Sequence, residues 1–234
     1  MQEKIILTGL SPDVDLPLDD ANNTLTTGAE WVTRNERSFP KEGTVERSDK
    51  REAVMQAALE LVGENGFHGS PMAMIAARAG VAAGTIYRYF ESKDLLIRET
   101  YGCLEKQIIA SVKAEYPHDG PIREQYLHVC QRLFSYFLAS PLEFRFIEQF
   151  HNSPYGIACR RDKMIGKKEK DLITELFEEG QAQQLLKELP LPVFFALTFG
   201  PLCDLCRDHI LQFIVLDKQL IARTAEACWD AVKR

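Results

Sequence analysis

The apolar residues of the chain recur with a helical period over most of the sequence after about residue 48. The first such segment has five of them at the spacing i, i+3, i+4, i+7 and i+8: Val54, Ala57, Ala58, Leu61 and Val62. This spacing is typical of one face of an amphipathic helix. Later segments with the same period are separated by prolines and glycines and span about 121–139, 142–151, 155–180, 190–209 and 217–233. Because no segment alternates like a strand, the pattern predicts an all-α protein.

Between residues 70 and 93 the pattern predicts two short helices separated by a tight turn. Ser70 followed by Pro71 is typical of a helix start with the serine as N-cap, and Gly80 suits the left-handed position that follows a helix. A second short helix is expected over about 83–90, and Ser92 is expected to cap a long helix over about 92–115. Two short helices joined by a glycine-containing turn indicate a helix-turn-helix.

The second short helix is rich in groups that can contact DNA. Its hydroxyl groups can bond phosphates, Arg88 can bond a guanine edge, and Gly84 permits close approach of the backbone. Lys93 lies at the start of the long helix, where free N–H groups also favour a phosphate. We therefore predict nine DNA contacts: Ser70, Met72, Ala83, Gly84, Thr85, Tyr87, Arg88, Tyr89 and Lys93. The two tyrosines could instead pack the domain; the motif favours DNA contact for Tyr87 and leaves Tyr89 open.

The remaining side chains of the motif have other predicted places. The helical period puts Ile86 and Phe90 in the core of the domain, and Arg78 is expected to be a solvated surface charge rather than a reader of bases.

The acidic balance of the whole chain does not exclude DNA binding. The net charge of −6 divides into −5 for residues 1–46, +1 for residues 47–98 and −2 for the remainder. The acidity therefore lies mainly outside the predicted DNA-binding segment. Residues 1–46 show no sustained period, so they are expected to be an irregular or disordered extension, or sequence upstream of the true translation start.

The residues of the motif resemble the signature of the TetR family of bacterial transcriptional regulators. The resemblance rests on Ile75-Ala76 with Ala79-Gly80-Val81, on residues 84–90 and on residues 92–96. The chain departs from the family at Ala82, where a serine usually caps the recognition helix, and at Ala73, where an arginine is common.

The resemblance implies two domains and a regulatory function. A three-helix DNA-binding domain over 47–93 is expected before a larger helical ligand-binding and dimerisation domain over 94–234. The implied protein is a sequence-specific repressor that a small-molecule effector releases from double-stranded operator DNA. Activation or co-repression stays open.

The resemblance further implies a homodimer formed by the last two helices, and these helices are indeed more apolar than surface helices need to be. The predicted interface residues are Val193, Phe194, Leu197, Leu202, Ile221, Ala225, Cys228 and Trp229. Aromatic residues of the middle helices either form core or line an apolar ligand cavity. The candidate ligand residues are His128, Arg132, Phe146, Gln149, Phe150 and Phe177. A kink or break is expected at Gly200-Pro201.

Two other classes of function are weaker alternatives. An enzyme would need a constellation such as Cys–His–acid, which nothing in the sequence places, and a protein-interaction module would show no affinity for the chain's own promoter. Cys203, Cys206 and His209 allow a metal or redox interpretation, but a helix turns them away from one another and no fourth ligand is evident, so packing is favoured. We predict no catalytic residue, metal or cofactor.

The location of the protein follows from its apolar runs. The longest of them is about half the length that a bilayer crossing requires. The N-terminus also lacks the apolar stretch of a signal peptide. We expect a cytoplasmic protein with no membrane partner.

Overall fold

The computed structural model describes residues 45–164 and 171–234, and every regular element among them is a helix. The ten helices are α1 (Val45–Asn65), α2 (Met72–Arg78), α3 (Ala83–Ile86), α4 (Lys93–Lys113), α5 (Ile122–Ala139), α6 (Pro141–His151), α7 (Pro154–Met164), α8 (Leu172–Ala182), α9 (Leu191–Ile210) and α10 (Lys218–Val232). None of these described helices is long and apolar enough to cross a membrane. The extension predicted for residues 1–46 lies outside the described residues, apart from Val45 and Glu46, which belong to α1.

The first core, which we call the motif core, packs α1 and α2 against α3 and the start of α4. Its fully buried side chains are Val54, Ala58, Ile75, Ile86, Phe90 and Leu96. All five apolar residues predicted for the inner face of α1 are buried, and so are Ile86 and Phe90. The helical period therefore identified the inward faces correctly.

The second core, which we call the joint core, packs the motif helices against the rest of the chain. It contains Leu59 and Val62 from α1, Ile97, Tyr101 and Leu104 from α4, and Phe146 and Phe150 from α6. At Gly63 a Cβ atom would lie only 3.0 Å from the Leu142 carbonyl oxygen, a tight contact, so α6 approaches α1 closely at this glycine. Because α1 contributes to both cores, the motif is joined to the other helices by packed side chains.

The third core, which we call the C-terminal core, is built from α5, α8, α9 and α10. Aromatic rings dominate it: Phe177 stacks on Phe194 at a centroid distance of 4.7 Å, and Tyr126 lies 5.5 Å from Trp229. The Tyr126 hydroxyl is buried and has no hydrogen-bond partner within the described chain.

Two predictions about these later helices need correction. A single helix over 155–180 is wrong, because α7 and α8 are separate and Asp171 begins α8 as an N-cap that accepts the Thr174 N–H at 2.9 Å. Of the kink or break expected at Gly200-Pro201, the break is wrong, because α9 continues through Pro201, and the kink stays a prediction.

Candidate nucleic-acid interface

The outward side of α3 and of the turn after it is the candidate DNA-binding surface. Ala83, Gly84 and Arg88 are exposed, and the Tyr87 side chain is 55% exposed. Ile86, beside Tyr87, is completely buried, so the motif core fixes which side of this segment faces the solvent.

The helix itself is shorter than predicted. Regular α-helical geometry ends at Ile86, and the chain continues as a turn in which the Arg88 N–H donates to the Thr85 carbonyl and the Phe90 N–H to the Ile86 carbonyl, both at 3.0 Å. The whole segment 83–90 is therefore hydrogen-bonded and anchored at Phe90, although only its first half is a helix.

A tight turn sets the position of α3 relative to α2. Gly80 has a φ of +68°, the left-handed conformation that its position predicted. The Val81 N–H donates to the Ala76 carbonyl at 3.0 Å and the Gly80 N–H donates to the Ala77 carbonyl at 3.2 Å, which is the Schellman pattern at the end of a helix. Ala82 then begins α3 without a side-chain cap, so no serine oxygen accepts an N–H group of its first turn.

The structure removes Ser70 from the predicted DNA contacts. Its side chain is fully buried, and its hydroxyl donates to the Gly66 carbonyl at 2.8 Å instead of capping α2, for which Pro71 occupies the N-cap position. A buried serine that already uses its hydroxyl cannot reach a phosphate. Both its capping role and its DNA contact are therefore wrong.

Four further residues of the predicted set are less accessible than Tyr87 and Arg88. Met72 and Tyr89 are half-buried and pack against the motif core. The Lys93 ammonium donates to the Phe67 carbonyl, and burial lowers the pKa of Lys93. Thr85, the remaining hydroxyl, is also half-buried.

The two arginines of the motif differ in their ion pairs. Arg78 bonds Glu60 and Glu64, each at 3.2 Å, so it joins α2 to α1 at the surface. The hydrogen bonds with Glu64 and Glu60 raise its pKa. Arg88 makes no ion pair with the described residues and keeps its donors for a ligand. Met74, 45% exposed on α2, is an outward apolar side chain that is not among the contacts predicted from the sequence.

The polar candidates for a ligand site are already bonded within the chain. His128 Nε2 lies 3.0 Å from the Val112 carbonyl, and Arg132 forms an ion pair with Glu115. Both side chains connect α5 to the end of α4 or to the turn after it, so both stabilise the packing of these helices.

The remaining ligand candidates are divided between different places. Phe146 and Phe150 are buried in the joint core, Phe177 is buried in the C-terminal core, and Gln149 is exposed beside Gly66. The structure therefore does not bring the six candidates together into one site.

The predicted dimer interface is largely part of the chain's own interior. Five of its eight residues are buried in the C-terminal core: Phe194, Leu202, Ala225, Cys228 and Trp229. Four of them are wrong as interface contacts, whereas Cys228 also lines the groove between α9 and α10, so its contact stays a prediction. Val193 and Leu197 are 38% and 37% exposed on the opposite side of α9, and Ile221 is partly buried. A groove of about 530 Å³ runs between α9 and α10 beside Leu197.

The cysteines of α9 behave as packing residues. Cys206 is buried in the C-terminal core and Cys203 is half-buried against it. Burial raises the pKa of Cys203 to about 11 and that of Cys206 to about 12, so both thiols stay protonated at neutral pH and are poor nucleophiles. His209 accepts the Leu216 N–H at Nδ1, 3.2 Å away, and so holds the loop after α9.

Aromatic rings connect the middle helices to the motif. Tyr101 on α4 stacks on Phe150 of α6 with ring centroids 3.7 Å apart. Tyr155 of α7 lies 5.6 Å from Phe67, the residue whose carbonyl accepts Lys93, and its hydroxyl donates to Asp94. The rings and the Tyr155 hydroxyl therefore connect α6 and α7 to residues on both sides of the helix-turn-helix, Phe67 before it and Asp94 after it.

Comparisons with known proteins agree with this arrangement. Residues 54–100 match the family model for bacterial regulatory proteins of the tetR family, and residues 121–233 match the model for a tetracyclin repressor-like C-terminal domain. The first match covers the motif core and the first part of α4, and the second begins one residue before α5.

Solved structures and a curated relative give the same result over most of the chain. A TetR family protein from Vibrio parahaemolyticus is 31% identical, with a TM-score of 0.64, over 79% of this chain and 99% of that one. A TetR family regulator from Marinobacter aquaeolei has the same fold, with 24% identity and a TM-score of 0.71 over 82% of this chain and 99% of that one. An uncharacterized helix-turn-helix transcriptional regulator from Haemophilus influenzae is 25% identical over 80% of this chain and 98% of its own length.

Proposed function

Because the chain belongs to the TetR family of bacterial regulatory proteins, we propose that this transcriptional regulator is a cytoplasmic repressor that a small-molecule effector releases from its operator. The observation that carries the proposal is the surface of α3 and of the turn after it. Tyr87 and Arg88 face the solvent there, while Ile86 and Phe90 anchor the segment in the motif core. The protein acts by binding, and no catalytic role is assigned to it.

In the proposed complex, α3 enters the major groove of the operator. Arg88 bonds a guanine edge, Tyr87 contacts a base or phosphate, and the backbone at Ala83 and Gly84 approaches the DNA closely because no large side chain intervenes. A Cβ atom at Gly84 would meet no protein atom within 4 Å, so the protein itself does not require glycine there. Close approach to DNA supplies a reason for it.

We propose that two copies bind one operator. The exposed apolar residues Val193 and Leu197, with the α9–α10 groove beside them, form the surface on which a second copy would pack. A two-fold dimer would place its two α3 segments about 34–36 Å apart, one DNA turn, on a near-palindromic site.

Release by an effector would work through the joint core. An effector that binds one arrangement of α6 better than another shifts the population towards that arrangement. Since α6 contacts α1 at Gly63 and α4 through the stack of Phe150 on Tyr101, this shift would change the spacing of the two α3 segments.

The test is a double substitution of the exposed pair, Tyr87→Ala with Arg88→Ala. We expect it to abolish retention of DNA from upstream of the chain's own gene in a gel shift, while sedimentation shows the same oligomer as the wild type. Arg160→Ala, which removes an equally exposed arginine from α7, is the matched control and should bind normally. Unaltered, salt-sensitive DNA binding by the double variant would contradict the proposed surface. Absence of promoter binding by the wild type at physiological salt would instead favour a protein-interaction module.

A further inference from the structure

A second groove, of about 640 Å³, opens between the α5–α6 turn and the loop that follows α9. We call it the loop groove. Its walls are mainly apolar: Leu138, Pro141, Leu142, Ile210, Ile214 and Val215. Arg145, His209 and Gln212 complete the lining. This volume and this mixture of an apolar lining with a few polar groups are typical of small-molecule sites, and none of the ligand residues predicted from the sequence lies in the groove.

The loop at one side of the groove is held in a fixed conformation. Gln212 has a φ of +65°, the Phe213 N–H donates to the Asp208 carbonyl at 2.9 Å, and the Gln212 N–H donates to the His209 carbonyl at 3.0 Å. The loop therefore keeps the side chain of Val215, which is 80% exposed, in contact with the solvent beside the groove. A bound apolar chain would remove this surface from water without first having to order the loop.

Arg145 supplies the polar half of the recognition. Its side chain is exposed on the first turns of α6 and makes no ion pair with the part of the chain that the structure describes. The next carboxylate along α6, that of Glu148, already accepts from Arg207 Nε at 2.8 Å. A guanidinium with free donors beside an apolar groove favours a ligand with an anionic head and an apolar tail, because it can bond both oxygens of a carboxylate.

We infer that the loop groove binds an amphiphilic carboxylate of the fatty-acid class, with its chain along the apolar walls and its head at Arg145. The inference rests on the proposed function, for which this ligand would be the effector. The groove is placed for that role because Leu142, in its wall, has its carbonyl 3.0 Å from the position of a Cβ atom at Gly63 of α1. A chain inserted between α6 and the loop would press on this contact.

The first experiment titrates the full-length protein with sodium laurate, sodium decanoate and 1-dodecanol by isothermal titration calorimetry. The two carboxylates are kept below their critical micelle concentrations and dodecanol below its solubility limit. Each buried methylene contributes about fourfold in affinity, so laurate should bind up to about fifteenfold more tightly than decanoate. Dodecanol, which has the chain of laurate without its charge, should bind several-fold more weakly. Equal affinities for laurate and decanoate, or stronger binding of dodecanol, would overturn the inference.

Two substitutions locate the site. Arg145→Gln should weaken laurate binding by about threefold to tenfold and leave dodecanol binding unchanged, whereas Arg160→Gln on α7 should change neither. Val215→Asp places a carboxylate in the groove at a highly exposed position that the fold does not need, and it should weaken laurate more than dodecanol. Laurate binding that survives both substitutions would place the ligand elsewhere and refute the site.

The remaining measurements separate this inference from the proposed function and from another occupant. Both variants should retain DNA as the wild type does without laurate; if no form binds DNA but the laurate results hold, the regulator proposal fails and the site stands. Sedimentation of Val215→Asp should show the wild-type oligomer. A dimer that dissociates in this variant would show that a second copy covers the groove, and it would overturn the ligand site.

Discussion

The ring of Phe150 is the side chain on which we expect the joint core to depend most directly. It is 2% exposed and lies nearly parallel to the ring of Tyr101, with 3.7 Å between centroids and 7° between planes. The ring of Tyr155 also stacks on Phe150, with 6.3 Å between the ring centroids and 17° between the planes. The ring of Phe150 thus joins α4, α6 and α7.

Truncation of this ring should be among the most destabilising changes in the described chain. Phe150→Ala should lower the free energy of unfolding by about 3–5 kcal/mol, because it removes buried surface and leaves a cavity. Phe150→Leu keeps much of the apolar volume and loses the aromatic stack, so its cost should be about 1–2 kcal/mol. Ile157→Ala on α7, where the side chain is 56% exposed, is the control and should stay within about 0.5 kcal/mol of the wild type.

Urea denaturation followed by far-ultraviolet circular dichroism measures these differences at one fixed protein concentration, since the stability of the proposed dimer would depend on concentration. The order of midpoints should be wild type and Ile157→Ala together, then Phe150→Leu, then Phe150→Ala. A Phe150→Ala variant within about 1 kcal/mol of the wild type at an unchanged m value would show that the ring is not part of a close-packed core, and the reasoning would be refuted.

Three further predictions concern single groups. Ser92→Ala should cost about 1 kcal/mol in urea denaturation, because the Ser92 hydroxyl accepts the Leu95 N–H at 3.2 Å; Ser92→Asp should restore the stability, and failure to do so would contradict the capping role. Ala82→Ser should raise the stability by about 0.5–1 kcal/mol, because Ala82 is extended at the start of α3 and caps nothing; an unchanged midpoint would contradict this. Burial raises the pKa of Cys206 from its ordinary 9.0 to about 12, so the contribution of this thiol to stability is complete below about pH 9 and is lost as the pH rises towards 12. Over this pH range the wild type should therefore lose more stability than Cys206→Ala does. At pH 8, mass spectrometry should show alkylation at exposed Cys103 before Cys206, and equal rates would contradict the burial.

The local features of the motif could be predicted from the sequence because they depend on neighbouring residues. The positions of Val54 and Leu61 follow from the helical period, and Gly80 follows from the need for a left-handed residue after α2. The burial of Ile86 beside an exposed Tyr87 follows from the same period. These positions alone determine the outward surface of α3.

The role of Ser70 could not be predicted in this way. A serine before a proline is a good N-cap by local rules, but here its hydroxyl donates to the Gly66 carbonyl, which the turn after α1 brings within 2.8 Å. A second acceptor from the tertiary structure competes with the helix end, and no pattern in the local sequence reveals it.

The predicted interface residues show a second limit of prediction from the sequence. Phe194 and Val193 are adjacent apolar residues of α9, yet the first is buried in the C-terminal core and the second is 38% exposed. When a helix is apolar on most of its circumference, its sequence does not show which side packs on its own chain and which is left for a partner. The same reasoning placed Trp229 at an interface, although it packs on Tyr126.

The position of α1 joins the short motif to distant helices. Its residues Ala58 and Leu61 belong to the motif core, while Leu59 and Val62 belong to the joint core, so neither core can shift without moving the same helix. In the proposed mechanism, an effector at α6 needs no separate relay, because a packed interior transmits displacement instead of absorbing it. The free energy that is available for releasing DNA is then limited to the difference in effector affinity between the two arrangements of α6, and DNA must weaken effector binding by the same factor.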